Sequence, residues 1–438
     1  MDAVKIGLLG LGTVGGGTVT VLTRNATEIA RRAGRGIAIA HAAARDYNPS
    51  AINGLDQIAR IGDDAFAVVN DPEVQIVVEL IGGYSPAREL VLQAIANGKH
   101  VVTANKALIA RHGNEIFAAA QAAGVMVGFE AAVAGGIPII KALREGLAAN
   151  RIEWIAGIIN GTGNFILTEM RDKGRDFADV LAEAQALGYA EADPTFDVEG
   201  IDAAHKLTIL AALAFGIPLQ FERCFTEGIS KIDALDVTYA AELGYRIKHL
   251  GIARRAAAGI ELRVHPTLIP HRRLIANVDG VMNAVLVKGD AVGPTLYYGA
   301  GAGAQPTASA VIADVVDVVR ALTTDPNNRV PHLAFQPDAL ADTPVLAMEA
   351  VETAYYLRLS ALDQPGVMAR IASILGEEGI SIEAIKQKEP NEGETHVPLV
   401  MLTHRVREGL MNQAIARIEA LEAVAGAVTR IRVETLAG

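Results

Sequence analysis

Short aliphatic runs alternate with helical patterns along the first third of the chain. The runs at residues 4–9, 37–42, 76–80 and 100–103 are largely apolar at successive positions, which is typical of central strands in a parallel sheet because both faces of such strands are buried. The alanine-rich segments between them end near glycine or asparagine, as helices commonly do. This alternation predicts a doubly wound α/β domain over residues 1–140.

The pattern changes near residue 151. Helical patterns cover residues 177–187 and 201–215, and strand-like runs follow at 261–269, 284–288 and 295–298. This order predicts an α+β domain over residues 141–304, with an open mixed sheet that helices cover on one side. Residues 305–322 form one amphipathic pattern, and we expect that helix to pack back on the first domain.

Prolines mark the next boundary. Pro326, Pro331, Pro337 and Pro344 fall in a stretch with few periodic apolar positions, which predicts an extended linker over residues 323–349. Beyond it, strand and helix patterns follow one another in the order βαββαβ. That order predicts a ferredoxin-like domain over residues 350–438.

Composition narrows the class of partner. Acidic residues outnumber basic ones by 50 to 39, and the net charge is −11, whereas nucleic acids and membrane surfaces attract clustered positive charge. We therefore expect no nucleic-acid or membrane partner and a small polar substrate. The single cysteine, Cys224, permits no internal disulfide, and no apolar run approaches the roughly 20 residues that span a bilayer. A cytoplasmic protein is expected.

A glycine-rich turn follows the first predicted strand at once. Gly10, Gly12 and Gly15 form a GxGxxG pattern with Thr13 and Val14 between them, and a helix pattern begins there. Glycines allow the tight turn and let backbone N–H groups approach a pyrophosphate at the helix N-terminus. The context predicts a bound dinucleotide, with a purely structural turn as the alternative.

The end of the second strand bears on the choice of cofactor. Asp46 would suit the ribose hydroxyl of NAD, whereas Arg45 could neutralise the additional phosphate of NADP. The sequence leaves NAD and NADP both open, and either residue could instead be a solvated loop charge.

Two segments place lysines for chemistry. Lys106 follows Thr103 at the carboxyl end of a predicted parallel strand, where ligands of open α/β sheets bind. Asp202 and Lys206 are four residues apart on a predicted helix and therefore share one face. By spacing alone, the Asp202–Lys206 pair is more typical of an ion pair on the protein surface.

Taken together, the segments resemble the homoserine dehydrogenases. The resemblance is carried by GLGTVGGG, TANKALIA, NGTGNFIL, which begins within the polar, turn-rich segment of residues 157–164, and, most specifically, EADPTFDVEGIDAAHKL, and it covers roughly residues 4–322. It implies a Rossmann-type domain, a catalytic and dimerisation domain, and NAD(P)-dependent interconversion of L-aspartate 4-semialdehyde and L-homoserine. That reaction lies on the route to threonine, methionine and isoleucine, and the chain is similar to the monofunctional type.

The resemblance also assigns roles to residues. It implies that Lys206 is the principal acid/base, that Lys106 assists it, and that Asp202 orients a lysine or the substrate. Glu191 is the expected partner of the substrate ammonium group. Because two nearby positive charges repel each other, we expect the pKa of one of these two lysines to be lowered.

Further residues complete the two predicted binding sites. Asn160, Gly161 and Thr162 are expected to contact the substrate, together with Asp202 and Lys106. Thr103, Lys106 and Gly301 are expected on the cofactor side, where YYGAGAGAQPTASAVIADV resembles the family's glycine-rich return.

The segment GFEAAVAGGIP resembles the family's monovalent-cation loop. The resemblance implies that Glu130 offers a carboxylate and that Val133, Gly135 and Ile137 offer backbone carbonyls. Hard oxygen ligands suit Na⁺ or K⁺. From the residues alone, the segment is a glycine turn before a helix with proline in its first turn.

The last domain resembles an ACT regulatory module. Asp363, Pro365, Gly366 and Val367 lie at its first strand-to-helix turn, where members of that family bind a free amino acid between paired domains. Feedback regulation by threonine is the hypothesis that follows. A purely dimerising appendage is the alternative.

Two competing functions remain at this stage. Aspartate-semialdehyde dehydrogenase would need a thiol nucleophile, for which Cys224 is the only candidate, and a nonenzymatic dinucleotide sensor would not need paired lysines. An open sheet in the middle domain would leave an exposed edge, so we expect a homodimer or homotetramer.

Overall fold

The structure is a computed structural model that describes residues 2–388 and 395–436. Its strands are β1 (Val4–Leu9), β2 (Ile37–Ala43), β3 (Ile61–Gly62), β4 (Ile76–Glu79), β5 (His100–Thr103), β6 (Val127–Gly128), β7 (Ile152–Ile158), β8 (Phe225–Thr226), β9 (Tyr245–Ala256), β10 (Gly259–Pro270), β11 (Met282–Gly289), β12 (Gly293–Ala300), β13 (Glu352–Leu362), β14 (Ile382–Gln387), β15 (His396–Thr403), β16 (Val406–Arg407) and β17 (Val424–Val433). Its helices are α1 (Thr13–Arg24), α2 (Ala26–Ala33), α3 (Ala65–Asn70), α4 (Ala87–Ala96), α5 (Lys106–Ala123), α6 (Ile139–Lys141), α7 (Gly161–Lys173), α8 (Phe177–Ala186), α9 (Thr195–Val198), α10 (Ile201–Phe215), α11 (Ala234–Glu242), α12 (Ala304–Ala321), α13 (Val367–Glu377) and α14 (Glu408–Glu419).

The chain forms two compact units, and each is described by itself. The first unit contains the residues up to Gly161 together with Asp202–Glu222 and Val281–Thr343. The second contains Thr162–Ile201, Arg223–Gly280 and the residues from Pro344 onward. The middle segment of the chain therefore contributes to both units, a division that the sequence did not predict. The proposed domain boundaries stay predictions.

A six-stranded parallel sheet organises the first unit. Its strand order is β3-β2-β1-β4-β5-β6, and every neighbouring pair is parallel. All residues of β4 and β5 are buried, because helices cover both faces of such a sheet. The predicted doubly wound α/β fold is confirmed, and the carboxyl ends of β1, β4 and β5 meet at one edge.

Helix α12 belongs to the core of the first unit. Its residues Val311, Val315 and Val319 share one buried apolar cluster with Leu22 of α1. At the start of α12, a Cβ atom on Gly17 would lie 2.5 Å from the carbonyl oxygen of Ala304. Glycine at position 17 therefore lets the two helices approach closely.

The first unit also contains an antiparallel group of three strands, in which β11 pairs with β12 on one side and β7 on the other. The sequence analysis did not identify β7, and it described residues 157–164 as turn-rich. That description is wrong: β7 ends at Ile158 and α7 begins at Gly161. Glycine and asparagine disfavour helix interiors, but here they occupy a strand end and a first helical turn.

The second unit joins the β9–β10 hairpin to a C-terminal module, defined here as β13 to β17 with α13 and α14. The module has the predicted βαββαβ order with the short β16 added, and four of its strands lie in the order β17-β13-β15-β14. Strand β10 also pairs in parallel with β17, with Thr267 opposite Arg432. The module therefore shares a sheet with the hairpin, which the sequence did not predict.

Buried ion pairs reinforce this connection. Arg263 of β10 is fully buried and donates to Glu434 at 2.5 Å and to Glu261 at 2.9 Å. Burial by itself would raise the pKa of Glu434, but Arg263 and Arg254 lower it to about 2. Since an unpaired buried charge costs several kcal/mol, these contacts fix Glu434 against the hairpin.

The segment predicted to be an extended linker is partly packed. It contains single helical turns at Pro326–Asn328, Pro337–Ala339 and Met348–Ala350, and the side chains of Leu333 and Val345 are buried.

None of the helices in the described ranges has the length and apolar character needed to cross a bilayer. The oligomeric state stays a prediction.

Candidate active site

A buried carboxylate between two lysines is the centre of the candidate site. Asp202 and Lys206 lie one turn apart on α10, and Lys206 Nζ donates to Asp202 Oδ2 at 2.7 Å. Lys106, the first residue of α5, places its Nζ 2.8 Å from Asp202 Oδ1. The structure thus brings together two lysines from different segments, one of which follows a strand at the carboxyl edge of the sheet.

Two further contacts orient this group. Asn160 Nδ2 donates to Asp202 Oδ2 at 2.9 Å, and the carbonyl oxygen of Ile159 accepts from Lys206 Nζ at 2.8 Å. Both residues follow the end of β7. Asn160, which the sequence assigns to the substrate, thus contacts the central carboxylate, and its contact with a substrate stays a prediction.

The electrostatics keep Asp202 ionised. Its side chain is 3% exposed, and burial alone would raise its pKa, but the ammonium groups of Lys206 and Lys106 lower that pKa far below its usual range. The lysines differ in access, since the side chain of Lys206 is 11% exposed and that of Lys106 is 35% exposed. The side chain of Lys206 is thus largely enclosed, and that of Lys106 is partly exposed. A lowered lysine pKa stays a prediction.

The sequence analysis missed His205, which lies beside this group on α10. Its ring stacks on Phe221 with centroids 4.2 Å apart, and its Nε2 is 3.4 Å from the Tyr84 hydroxyl. Burial lowers the pKa of His205 to about 4, so the ring is neutral near pH 7. A histidine adjacent in sequence to Lys206 was the only available signal, and scattered histidines carry little information.

The glycines of the β1–α1 turn leave room for a ligand. Gly10 has a φ of 96°, and a Cβ atom on Gly15 would lie 2.0 Å from the carbonyl oxygen of Gly10. A Cβ on Gly12, in contrast, would meet no atom within 4 Å. Gly12 and Thr13 are exposed and Val14 is half-buried. The first N–H groups of α1 therefore border open space, as a pyrophosphate site requires.

Glu79 is a second residue that the sequence analysis did not single out. It ends β4, where its Oε2 accepts from the Thr103 hydroxyl at 2.6 Å. Its Oε1 accepts from the backbone of Ile81 at 2.8 Å and of Gly82 at 3.1 Å. Thr103 is thus buried in a network that shapes the loop after β4. The signal for Glu79 in the sequence was a single carboxylate at the end of an apolar strand.

The remaining predicted cofactor residues also belong to the first unit. Arg45 and Asp46 are exposed in the loop after β2. Gly301 lies in the turn before α12, and a Cβ atom on Gly135 would be 2.6 Å from its carbonyl oxygen. The turn before α12 therefore contacts the predicted cation loop.

The predicted cation loop is built around a buried carboxylate. Glu130 is 1% exposed, and its two carboxylate oxygens accept the backbone N–H groups of Ile140 and Lys141 at 2.9 and 2.8 Å. Burial and the nearby carboxyl of Asp314 raise the pKa of Glu130 to about 7. Val133 is buried in the same loop, and Ile137 accepts from the backbone N–H of Ile139.

No group of three or more histidine, cysteine or acidic side chains suited to a metal ion occurs in residues 2–388 and 395–436. Backbone carbonyl ligands, which the cation hypothesis invokes, are a separate class of ligand. The cation therefore stays a prediction.

Of the other predicted substrate residues, Thr162 and Glu191 belong to the second unit and Gly161 to the first. The Thr162 hydroxyl donates to the carbonyl oxygen of Tyr189 at 2.6 Å, while Glu191 is exposed just beyond. Gly161 ends the adjacent stretch of the first unit, where a Cβ atom would lie 2.7 Å from the Val281 carbonyl oxygen. The substrate roles of these three residues stay predictions.

Cys224 does not fit a nucleophilic role. Burial raises the pKa of its thiol to about 12, so the thiolate that a thioester mechanism needs is scarce at neutral pH. This argues against the competing aspartate-semialdehyde dehydrogenase assignment.

The predicted regulatory turn lies between β13 and α13. Gly366, with a φ of 88°, is the N-cap of α13, and Pro365 precedes it on the surface. The Oδ1 atom of Asp363 accepts from Gln387 Nε2 at 3.2 Å, and Val367 is buried. The turn therefore presents an ordered carboxylate and backbone to solvent.

Comparison with known families covers most of the chain. Residues 10–130 match the model "Homoserine dehydrogenase, NAD binding domain", residues 138–316 match "Homoserine dehydrogenase", and residues 355–423 match "ACT domain". Homoserine dehydrogenase from Pseudomonas aeruginosa is 70% identical over 436 residues, and that from Neisseria gonorrhoeae is 59% identical over 436 residues. In both cases 100% of each chain is covered.

Solved structures agree with this result. The crystal structure of a homoserine dehydrogenase from Thiobacillus denitrificans is 71% identical and superposes with a TM-score of 0.95, covering 100% of this chain and 99% of that one. A hyperthermophilic archaeal homoserine dehydrogenase in complex with NADPH is 26% identical, with a TM-score of 0.61 over 72% of this chain and 97% of its own. The chain therefore belongs to the homoserine dehydrogenase family, oxidoreductases that act on a CH–OH group with NAD(P), and it carries an ACT domain.

Proposed function

We propose that Lys206 is the principal acid/base of the homoserine dehydrogenase reaction and that Lys106 assists it. The observation that carries this assignment is the pair of ammonium groups within 2.8 Å of the single buried carboxylate of Asp202. A bound nicotinamide cofactor supplies hydride to the aldehyde carbon of L-aspartate 4-semialdehyde or accepts it from L-homoserine. The chain's own residues must then manage the proton on the substrate oxygen.

The buried setting of Lys206 supports its role. When the aldehyde is reduced, its oxygen gains negative charge and needs a proton donor within hydrogen-bond reach. Asp202 holds Lys206 in one orientation, and Lys106 adds a second positive charge from the solvent side. Both charges stabilise the developing alkoxide. In the reverse direction, the neutral amine form of Lys206 takes up the hydroxyl proton of homoserine as hydride leaves the same carbon for the oxidised cofactor.

Substrate orientation is assigned to a second group of residues. We infer that Glu191 pairs with the substrate ammonium group, since an α-ammonium needs a fixed anion for recognition. Asn160 and Thr162, with the backbone at Gly161, would contact the rest of the substrate. The exposure of Glu191 and the polar character of these residues support this assignment.

The first prediction concerns the two lysines. We expect Lys206→Ala to lower kcat for homoserine oxidation by about 10²- to 10⁴-fold, the usual contribution of a general acid or base, and Lys106→Ala to lower it less. A small primary amine such as methylamine should partly restore Lys206→Ala by supplying a replacement ammonium group. Steady-state kinetics with and without the amine measure both effects.

The exposed Lys5, which pairs with Glu73, provides the matched control. Lys5→Ala should leave kcat unchanged. The assignment fails if Lys206→Ala keeps kcat within about threefold of the parent enzyme, since that factor amounts to less than 1 kcal/mol of barrier.

The dinucleotide is proposed to lie on Gly10, Gly12 and Gly15, with its pyrophosphate at the N-terminus of α1. Thr13 and Val14 would supply the first helical N–H groups. Thr103, Lys106 and Gly301 would border the nicotinamide end. The open space beside Gly12 supports this placement.

The second prediction separates the two cofactors. If Arg45 neutralises the 2′-phosphate, Arg45→Ala should raise KM for NADP about tenfold and leave KM for NAD unchanged, because about 1.4 kcal/mol of binding is lost. Asp46→Ala should produce the opposite pattern, because Asp46 would hold the ribose hydroxyl of NAD. Unchanged KM ratios in both variants would remove these residues from the cofactor site.

We also propose that Glu130 and the carbonyl groups of Val133, Gly135 and Ile137 hold Na⁺ or K⁺. The burial of the Glu130 carboxylate beside Asp314 supports a compensating cation. Each carboxylate oxygen that accepts one N–H group retains a second lone pair for such an ion.

The third prediction tests that cation. The melting temperature should be about 2–4 °C higher in NaCl or KCl than in tetramethylammonium chloride at equal ionic strength, because a ligand of the native state stabilises it. Glu130→Gln should abolish the difference. Equal melting temperatures of the parent protein in all three salts would contradict the proposed site.

For the ACT domain, we propose feedback inhibition by threonine at the turn formed by Asp363, Pro365, Gly366 and Val367. The ordered, exposed carboxylate of Asp363 is suited to an amino-acid ammonium group. Because β17 pairs with β10, a bound effector could influence the hairpin through a continuous sheet. The full-length chain is therefore needed for the test.

The fourth prediction uses point variants. Threonine should inhibit homoserine oxidation, and Asp363→Ala or Gly366→Ala should raise the inhibitory concentration about tenfold. In Gly366→Ala the positive φ strains the new side chain and distorts the turn. Gly376→Ala is the matched control, since a Cβ there meets no atom within 4 Å and no left-handed φ is involved. The threonine hypothesis fails if threonine neither binds nor inhibits the parent enzyme.

A further inference from the structure

Asn283 is a buried side chain whose polar atoms are not satisfied by the protein. It lies near the start of β11, paired with Gly299 of β12, and it is 1% exposed. Among the residues that the structure describes, neither its Oδ1 nor its Nδ2 atom has a hydrogen-bond partner. Because a buried unsatisfied polar group costs about 1–3 kcal/mol, a group that is retained in this state calls for a specific explanation.

The turn before α12 covers this amide. A Cβ atom on Gly301 would lie only 1.8 Å from Asn283 Oδ1, so any larger residue at position 301 would clash with it. The next residues of the turn, Ala302 and Gly303, are exposed, and Gly303 has a φ of 118°. The part of the turn that lies against the amide is therefore made of small residues, which offer little side-chain packing against movement.

The turn also adjoins the dinucleotide-binding helix. Directly after Gly303, the carbonyl oxygen of Ala304 lies where it would be 2.5 Å from a Cβ atom on Gly17 of α1. Helix α1 begins at the glycine turn assigned to the cofactor. The segment that lies against Asn283 thus continues directly into a contact with the helix at which the cofactor is proposed to bind.

The chemistry of the unsatisfied atoms restricts the ligand. A primary carboxamide presents one acceptor and two donor hydrogens side by side. A bound cation would satisfy only Oδ1, and a phosphate would satisfy only Nδ2. A second primary carboxamide satisfies both, and nicotinamide carries one at the reacting end of the cofactor.

We propose that Asn283 binds the carboxamide of the nicotinamide ring, after the Gly301–Gly303 turn moves away from the Asn283 side chain. This inference rests on the proposed cofactor site and adds a residue that fixes the orientation of the ring. An oriented ring presents its C4 atom to the substrate carbon in one geometry, which is how binding contributes to the rate of hydride transfer.

The test uses Asn283→Leu, which replaces the amide by an isosteric apolar group. Calorimetric titration should show that the variant binds reduced NAD(P) about tenfold to hundredfold more weakly than the parent protein does, because the nicotinamide carboxamide loses its partner. ADP-ribose or its 2′-phosphate, which lack nicotinamide, should bind both proteins equally. An analogue with 3-acetylpyridine in place of nicotinamide, in which a methyl group replaces the amide nitrogen, should bind the parent more weakly than NAD(P) does, and the variant should lose this discrimination.

A stability measurement supplies an independent criterion. Without cofactor, Asn283→Leu should melt at the same temperature as the parent protein or higher, because no protein hydrogen bond is lost. Asn164→Leu is the matched control. Asn164 is also 1% exposed, but its amide donates to the carbonyl oxygens of Val278 and Gly280 and accepts from Lys248, so its replacement should lower the melting temperature.

The outcomes distinguish failure of the Asn283 proposal from failure of the proposed cofactor site. Failure of the parent protein to bind ADP-ribose or its 2′-phosphate would overturn the cofactor site itself. Normal ADP-ribose binding, together with unchanged affinity of Asn283→Leu for reduced NAD(P), would overturn only the role of Asn283. A melting temperature well below that of the parent would show that Asn283 is structural and would also contradict the proposal.

Discussion

Asp202 carries a full negative charge that is almost completely removed from water. The arrangement of the residues around its carboxylate follows from the need of that charge for partners. A buried carboxylate is tolerated only when opposite charges and hydrogen bonds replace its hydration. Lys206 supplies one such charge from the same helix, and Lys106 supplies the other from the helix that follows β5. The carboxylate therefore joins α10 to the carboxyl edge of the parallel sheet, and it holds two ammonium groups close together.

A second constraint is the close approach of backbone segments around the cofactor side of the first unit. A side chain at Gly15 would collide with Gly10, one at Gly17 with Ala304, and one at Gly301 with Asn283. These glycines bring α1, α12 and the turn before α12 together without intervening side chains. The resulting surface can present N–H groups and a buried amide to a ligand, which a surface crowded with side chains could not do.

Within the second unit, the C-terminal module is joined to the β9–β10 hairpin by a shared sheet. Strand β17 is hydrogen-bonded to β10, and the fully buried Arg263 is held by Glu261 and Glu434. Breaking these contacts would expose unpaired charges, so the C-terminal module and the hairpin are expected to respond together. The βαββαβ order of the module was predictable from periodicity. Its pairing with a strand more than 150 residues earlier was not, since register between distant strands has no local sequence signal.

By itself, the sequence determined the local elements and the chemistry of each motif. The GxGxxG turn, the amphipathic pattern of α12 and the four-residue spacing of Asp202 and Lys206 depend on backbone preferences and helix geometry, which act over a few residues. Only the tertiary structure decided that the Asp202–Lys206 pair is buried instead of solvated, that Lys106 joins it, and that the Asn283 amide has no hydrogen-bond partner in the described part of the chain. The physical reason is that burial and charge pairing depend on which distant segments meet, and hydrophobic periodicity along the chain does not specify that arrangement.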